Sequence, residues 1–112
     1  MSTVNRTSDA ATDARVQAVF DDIRATRGSD FINHFWRHLA FDPPLLESTW
    51  AEVKRVMATP SGLDPLTKEM IYIAVSVANG CDYGVHSHTG AARAQRMTAA
   101  QHAELPTIVA LA

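Results

Sequence analysis

The chain has 112 residues and a formal net charge of −2, and it contains no basic block of the kind that binds nucleic acid. It is long enough to form one domain, and no apolar run reaches transmembrane length. The single cysteine, Cys81, excludes a disulfide framework. Because the first residues also lack the apolar core of a signal peptide, we expect a cytoplasmic protein.

Apolar residues recur at helical spacing along the chain, and no segment shows the alternation of a strand. The predicted class is therefore all-α, with about six helices. We expect residues 1–11 to be disordered and residues 12–112 to form one domain.

Three helices are predicted in the first half of the chain. The first runs over about residues 12–27 and ends at Gly28. The second is expected to begin at a cap formed by Ser29 or Asp30 and to extend through Ala40. A third helix is predicted to start at Asp42-Pro43-Pro44, with proline in its first turn. Its expected buried face contains Leu46, Trp50, Val53 and Met57.

A helix over residues 65–79 is predicted to start at Asp64-Pro65 and is apolar nearly all round, which is typical of a buried helix. Glu69 and Ser76 are polar exceptions that share one face with Tyr72. A buried carboxylate needs a partner, because its unpaired burial is costly.

A further helix over residues 81–95 follows the break at Asn79-Gly80. Thr98 and Gln101 match a capping box, which predicts a short last helix ending near Glu104. The apolar tail that begins at Leu105-Pro106 is expected to pack against the domain or a neighbouring subunit.

Cys81, Glu69 and His88 supply a thiol, a carboxylate and an imidazole, which suit thiolate or proton-transfer chemistry. Cys81 is expected in the first turn of its helix, where free amide groups favour a thiolate. His88 lies two turns further along the same face, too far for a direct hydrogen bond to the sulfur. Water or substrate would stand between them, and Gly84 leaves room for it.

At these residues the sequence resembles the superfamily of carboxymuconolactone decarboxylase and alkyl hydroperoxidase D (AhpD). The superfamily has a characteristic sequence pattern: a glutamate is followed by eleven residues, a Cys-x-x-Cys motif, three further residues and a histidine. Glu69, Cys81 and His88 match it, with Asn79-Gly80 and Tyr83 among the familiar neighbours. The resemblance implies an AhpD-like helical bundle that forms a trimer or hexamer, with Glu69 and His88 relaying protons and Tyr83 and Gly84 near the substrate.

The chain departs from the pattern at one place, because Gly84 stands where the second cysteine is expected. A disulfide cycle within the chain is therefore impossible. The leading hypothesis is a peroxidase in which Cys81 attacks a hydroperoxide and an external thiol reduces the resulting sulfenic acid. The alternatives are a lyase or isomerase that uses Glu69 and His88 on a small carboxylated or lactone substrate, and a non-catalytic oligomeric scaffold. No cofactor is expected.

Each of these residues also has a structural interpretation. Cys81 could be a small buried apolar residue, Glu69 could pair with Arg93 or Arg96, and His88 could bond to a carbonyl group. His86 is more typical of a surface or interface histidine. A zinc site is disfavoured, because His-x-His places the two rings on different faces of a helix. The spacing of His34 and His38 is best explained by a solvated face.

Overall fold

The computed structural model describes residues 13–112, which contain six α-helices and no strand. After α3 the chain continues as a π-helical turn over Lys54–Ala58. The predicted all-α class with about six helices is confirmed. The helices are α1 (Ala14–Arg27), α2 (His34–Leu39), α3 (Pro43–Val53), α4 (Pro65–Ala78), α5 (Asp82–Ala94) and α6 (Ala99–Leu111).

The described chain divides into a first compact unit, which ends at Ala58, and a second compact unit, Thr59–Ala112. That residues 12–112 form a single domain stays a prediction. The predicted disorder of residues 1–11 lies outside the described residues. No helix in residues 13–112 is long and apolar enough to cross a membrane.

The first unit is built around an apolar core. Helix α1 starts where the Asp13 side chain accepts a hydrogen bond from the Arg15 amide, and it ends at Gly28, whose φ of 65° is left-handed. The rings of Trp36 and Trp50 meet edge to face in this core, with centroids 5.5 Å apart. The buried members are Val16, Val19, Phe20, Ile23, Ile32, Trp36, Ala40, Leu46 and Trp50.

Helix α2 is shorter than predicted, because it starts after Asn33 rather than at a cap formed by Ser29 or Asp30. The Ser29 hydroxyl instead accepts a hydrogen bond from the Phe31 amide at 3.3 Å, a local turn that competes with helix formation. Ile32 is buried although it precedes the helix, whereas Phe31 is exposed.

Helix α3 begins as predicted at Asp42, which accepts a hydrogen bond from the Leu45 amide at 3.2 Å. Leu46 and Trp50 are buried and Val53 is half-buried. Met57 was assigned to the same face, but it lies in the π-helical turn and is only half-buried. The π-helical turn has more residues per turn than an α-helix, so Met57 is rotated away from the buried face of α3. Nothing in the sequence indicated this π-helical turn.

The second unit places the predicted site between α4 and α5. Helix α4 starts at Asp64, which accepts a hydrogen bond from the Thr67 amide at 2.7 Å. The expectation that α4 is buried all round was wrong for the described chain, because α5 and α6 pack against it and leave another side open. Its exposed apolar residues are Ile71, Tyr72 and Val75.

Helix α6 starts at the predicted capping box, in which Thr98 and Gln101 exchange hydrogen bonds of 2.8 and 3.1 Å. The prediction that it ends near Glu104 was wrong, since the helix continues through Pro106 to Leu111. A proline within a helix removes one backbone hydrogen bond but does not always end the helix. Ile108 and Leu111, in the predicted apolar tail, are exposed helical residues.

Candidate active site

Glu69 on α4 and His88 on α5 are in direct hydrogen-bond contact in the second unit. The distance from His88 Nδ1 to Glu69 Oε1 is 2.7 Å, and that to Oε2 is 3.4 Å. Both side chains are largely buried, with 17% of His88 and 11% of Glu69 exposed. The carboxylate therefore has a specific partner, and that partner is His88 rather than Arg93 or Arg96.

This contact determines which nitrogen of the imidazole is available for chemistry. A carboxylate accepts hydrogen bonds, so the neutral ring carries its proton on Nδ1 and donates it to Glu69. The other nitrogen, Nε2, then keeps its lone pair. An oriented carboxylate also stabilises the imidazolium that forms when Nε2 takes up a proton. The pair is therefore arranged as a general base.

Tyr72 holds the imidazole from a second direction. Its ring stacks on His88 with centroids 3.6 Å apart and an angle of 21° between the planes. Tyr72 lies three residues after Glu69 on α4, so one face of that helix supplies both the hydrogen bond and the stacking ring. Sequence reasoning placed Tyr72 on this face without assigning it a role. The three-residue spacing between Glu69 and Tyr72 is the sequence feature that could have indicated that both side chains contact the imidazole.

Cys81 lies immediately before α5, at its N-cap, one residue earlier than the first turn in which it was predicted. Gly80, with a left-handed φ of 66°, makes the turn from α4, and the Cys81 amide donates to the Ser76 carbonyl at 2.8 Å. The Cys81 sulfur accepts a hydrogen bond from the Gly84 amide at 3.4 Å. The thiol is free and exposed, so the interpretation of Cys81 as a buried apolar residue does not hold.

Gly84 lies at the closest approach of α4 and α5. A Cβ atom added to it would collide with the Ser76 hydroxyl, would lie 3.0 Å from Ser76 Cβ, and would lie 3.4 Å from the Cys81 sulfur. The room that the sequence assigned to water or substrate beside Gly84 is therefore partly filled by Ser76. Sequence reasoning noted Ser76 only as a polar residue on a buried face.

The remaining candidate residues lie outside this cluster of contacts. Tyr83 is about half exposed, and its role in substrate binding stays a prediction. His86, His34 and His38 are exposed. Within residues 13–112, no three histidine, cysteine or acidic side chains come together as a possible metal site.

The comparisons with known proteins agree with this architecture. A model of the carboxymuconolactone decarboxylase family matches residues 44–112, more than half of the chain. The chain belongs to this family. The match includes α4 and α5, and therefore Glu69, Cys81 and His88. The superfamily resemblance seen in the sequence is thereby confirmed.

One solved structure has a closely similar fold. The crystal structure of the alkylhydroperoxidase AhpD core from Rhodospirillum rubrum is 62% identical in sequence, with a TM-score of 0.87. The alignment covers 93% of this chain and 76% of that one. A search of curated proteins finds no significant match. The family and the AhpD-like fold are thus established by both sequence and structure.

Proposed function

We propose that this family member is an alkylhydroperoxidase-type enzyme that reduces hydroperoxides through Cys81. The observation that carries the proposal is the buried contact between Glu69 on α4 and His88 on α5, the helix that Cys81 caps. The 62% identity to an alkylhydroperoxidase AhpD core supports the same reaction class.

In the proposed reaction, His88 Nε2 accepts the proton of the Cys81 thiol through a bridging water or substrate molecule. The Gly84 amide stabilises the negative charge on the sulfur. The thiolate then attacks the terminal oxygen of the hydroperoxide, so that a sulfur–oxygen bond forms as the oxygen–oxygen bond breaks. Sulfur is oxidised by two electrons and the peroxide is reduced. The leaving alkoxide takes the proton from His88 and departs as an alcohol.

The sulfenic acid on Cys81 is then reduced by an external thiol, because the chain has no second cysteine. The first external thiol forms a mixed disulfide with Cys81 and releases water. A second one displaces Cys81 and leaves as a disulfide. The proposed partners are accordingly a small hydroperoxide and a low-molecular-weight or protein thiol, and no resident cofactor takes part.

The test is the rate at which Cys81 forms a sulfenic acid with hydrogen peroxide and with tert-butyl hydroperoxide. We expect a wild-type rate well above that of free cysteine, with losses of about tenfold in Glu69→Gln and about a hundredfold in His88→Ala. His86→Ala is the matched control, since His86 is an exposed histidine of the same helix. A wild-type rate equal to that of free cysteine, unchanged in the three variants, would refute the proposal.

A second candidate is a lyase or isomerase reaction on a small carboxylated or lactone substrate. It is favoured by the fact that the base formed by Glu69 and His88 is complete without Cys81. Under this candidate Cys81→Ser retains activity and His88→Ala loses it. Under the peroxidase proposal Cys81→Ser is inactive towards hydroperoxide and His88→Ala is about a hundredfold slower than the wild type.

We also propose that the chain acts as a homo-oligomer. Apolar residues on α4 and α6 are exposed in the described chain, among them Val75, Ile108 and Leu111, which are 53%, 57% and 86% exposed. Association would remove this surface from water. The resemblance implies a trimer or a hexamer, and light scattering of the purified chain measures the mass directly.

A further inference from the structure

The hydrogen bond between His88 and Glu69 does not by itself determine where the second ring nitrogen points. It joins Nδ1 to Oε1 at 2.7 Å and therefore fixes one atom of the imidazole. The ring can still turn about this contact, because the second side-chain torsion of a histidine is broadly distributed. Such a rotation changes the direction of the Nε2 lone pair, which has to face the proton that it accepts.

The ring of Tyr72 removes this freedom. The two ring centroids are 3.6 Å apart and the planes differ by 21°, so the rings touch over their faces. The imidazole cannot tilt towards Tyr72 without a collision. Tyr72 also covers one face of the imidazole, and water or substrate therefore reaches Nε2 from the ring edge or from the other face.

Packing of the core does not account for an aromatic residue at this position. Tyr72 is 45% exposed, almost as much as its neighbour Ile71 at 48%. Among the described residues, Tyr72 does not belong to the apolar cluster of the second unit. The members of that cluster are Ile73, Ala92 and Met97, with Leu66, Met70, Val77 and Leu105 packed against them. The contact with His88 is therefore the observation that gives the Tyr72 ring a role.

We infer that Tyr72 is a positioning residue, whose ring fixes the plane of the His88 imidazole and thereby the direction of the Nε2 lone pair. The inference rests on the proposed function and adds a third residue to the base formed by Glu69 and His88. Tyr72 touches neither the hydroperoxide nor the reacting sulfur, and its hydroxyl takes no part. The proton still moves from the thiol to Nε2 and then to the leaving alkoxide. Tyr72 acts on the rate because proton transfer depends on the alignment of donor and acceptor.

Three variants separate the ring of Tyr72 from its hydroxyl and from its surroundings. Tyr72→Phe keeps the ring and removes the hydroxyl, whereas Tyr72→Leu removes the ring and keeps an apolar side chain. Ile71→Ala is the matched control, since Ile71 is the preceding residue of α4 and is equally exposed. It also reports any effect on the rate that arises from a change in the exposed apolar surface of this helix.

The first measurement is the rate of sulfenic acid formation on Cys81 with tert-butyl hydroperoxide. We expect Tyr72→Leu to react about tenfold more slowly than the wild type, the cost of a misaligned base. Tyr72→Phe should restore the rate to within about twofold of the wild type, because the stacked ring is retained. Ile71→Ala should also stay within about twofold, because the imidazole is untouched.

The second measurement is the nuclear magnetic resonance spectrum of the His88 ring, assigned by its absence from His88→Ala. An aromatic ring shifts the resonances of protons that lie over its face upfield. The carbon-bound ring protons of His88 should show this shift in the wild type and Tyr72→Phe and lose it in Tyr72→Leu. The nitrogen resonances should report a proton on Nδ1 in all three proteins, because Glu69 still accepts it. Loss of the ring then changes the orientation of the imidazole and leaves its hydrogen bond to Glu69 intact.

Each other outcome overturns the inference in a distinguishable way. A wild-type rate in Tyr72→Leu would show that the ring does not position the base. A Tyr72→Phe variant as slow as Tyr72→Leu would assign the effect to the hydroxyl, and an equally slow Ile71→Ala would assign it to the surface of α4. Loss of the proton from Nδ1 in Tyr72→Leu would show a structural role in the pairing with Glu69. A wild-type protein that reacts no faster than free cysteine would refute the proposed function, and the inference with it.

Discussion

The two compact units bury different kinds of side chain. The first unit buries an apolar cluster in which Trp36 and Trp50 meet, and none of its described polar side chains falls in the buried class. The second unit has a smaller apolar cluster around Ile73, yet it contains the three buried polar residues of the described chain, Glu69, Ser76 and Thr89. The contrast indicates that apolar burial is the main stabilising contribution in the first unit, whereas the second unit also carries the free-energy cost of burying polar groups.

The largest effect is expected in the first unit, from Trp50→Ala. Trp50 is 5% exposed and donates to Asp22 at 2.7 Å, so its truncation leaves a cavity and removes one of the hydrogen bonds to the Asp22 carboxylate. We expect a loss of about 3–5 kcal/mol in the free energy of unfolding. Urea unfolding followed by the fluorescence of Trp36, the other tryptophan of the chain, measures it in this unit.

Phe31→Ala is the control for that prediction, because Phe31 belongs to the same unit but is 67% exposed. Its truncation should cost less than about 1 kcal/mol. If the two variants lost similar stability, the first unit would not depend on its buried core, and the comparison between the units would fail.

An intermediate effect is expected in the second unit, from Gly84→Ala. Alanine normally stabilises a helix relative to glycine, but here its Cβ would collide with Ser76. We expect a net loss of about 1–3 kcal/mol, the usual cost of overpacking. Chemical denaturation followed by far-ultraviolet circular dichroism measures the loss.

Gly90→Ala is the matched control, since Gly90 is in the same helix and has open space around its Cβ position. This variant should gain up to about 1 kcal/mol. Adding Ser76→Ala to Gly84→Ala should recover part of the loss, because the collision with the hydroxyl is removed. A gain in both single variants would contradict the close contact between Ser76 and Gly84.

The smallest effect is expected from Asp22→Asn in the first unit. Hydrogen bonds from Trp50 and Lys54 hold the pKa of the Asp22 carboxyl below its ordinary value. A lowered pKa in the folded state means that ionised Asp22 stabilises the fold above the unfolded pKa. This stabilisation is lost as the pH falls through the folded pKa. The wild type should therefore lose more stability than Asp22→Asn below about pH 4.

The difference should stay below about 1 kcal/mol, because the Asp22 side chain is 43% exposed and solvent screens its ion pair. Urea unfolding of both proteins at pH 6 and pH 3 measures it. Parallel stability losses in the two proteins would show that Asp22 contributes nothing specific to the first unit.

Local signals predicted much of the fold. The starts of α3, α4 and α6 follow from Asp42, Asp64 and the pair Thr98 and Gln101, whose side chains bond to amides three residues away. The extent of α2 and of α6 was not predictable in this way. At Ser29 two local hydrogen-bonding patterns compete, and at Pro106 the helix continues despite a residue that usually ends one.

The sequence by itself determined the helical class, the family and the identities of Glu69, Cys81 and His88, because spacing along the chain carries that information. Only the tertiary structure decided that Glu69 pairs with His88, that Tyr72 stacks on the imidazole and that Ser76 meets Gly84. The physical reason is that each of these contacts joins α4 to α5. Its existence depends on how the two helices pack, which the periodicity of either helix does not specify.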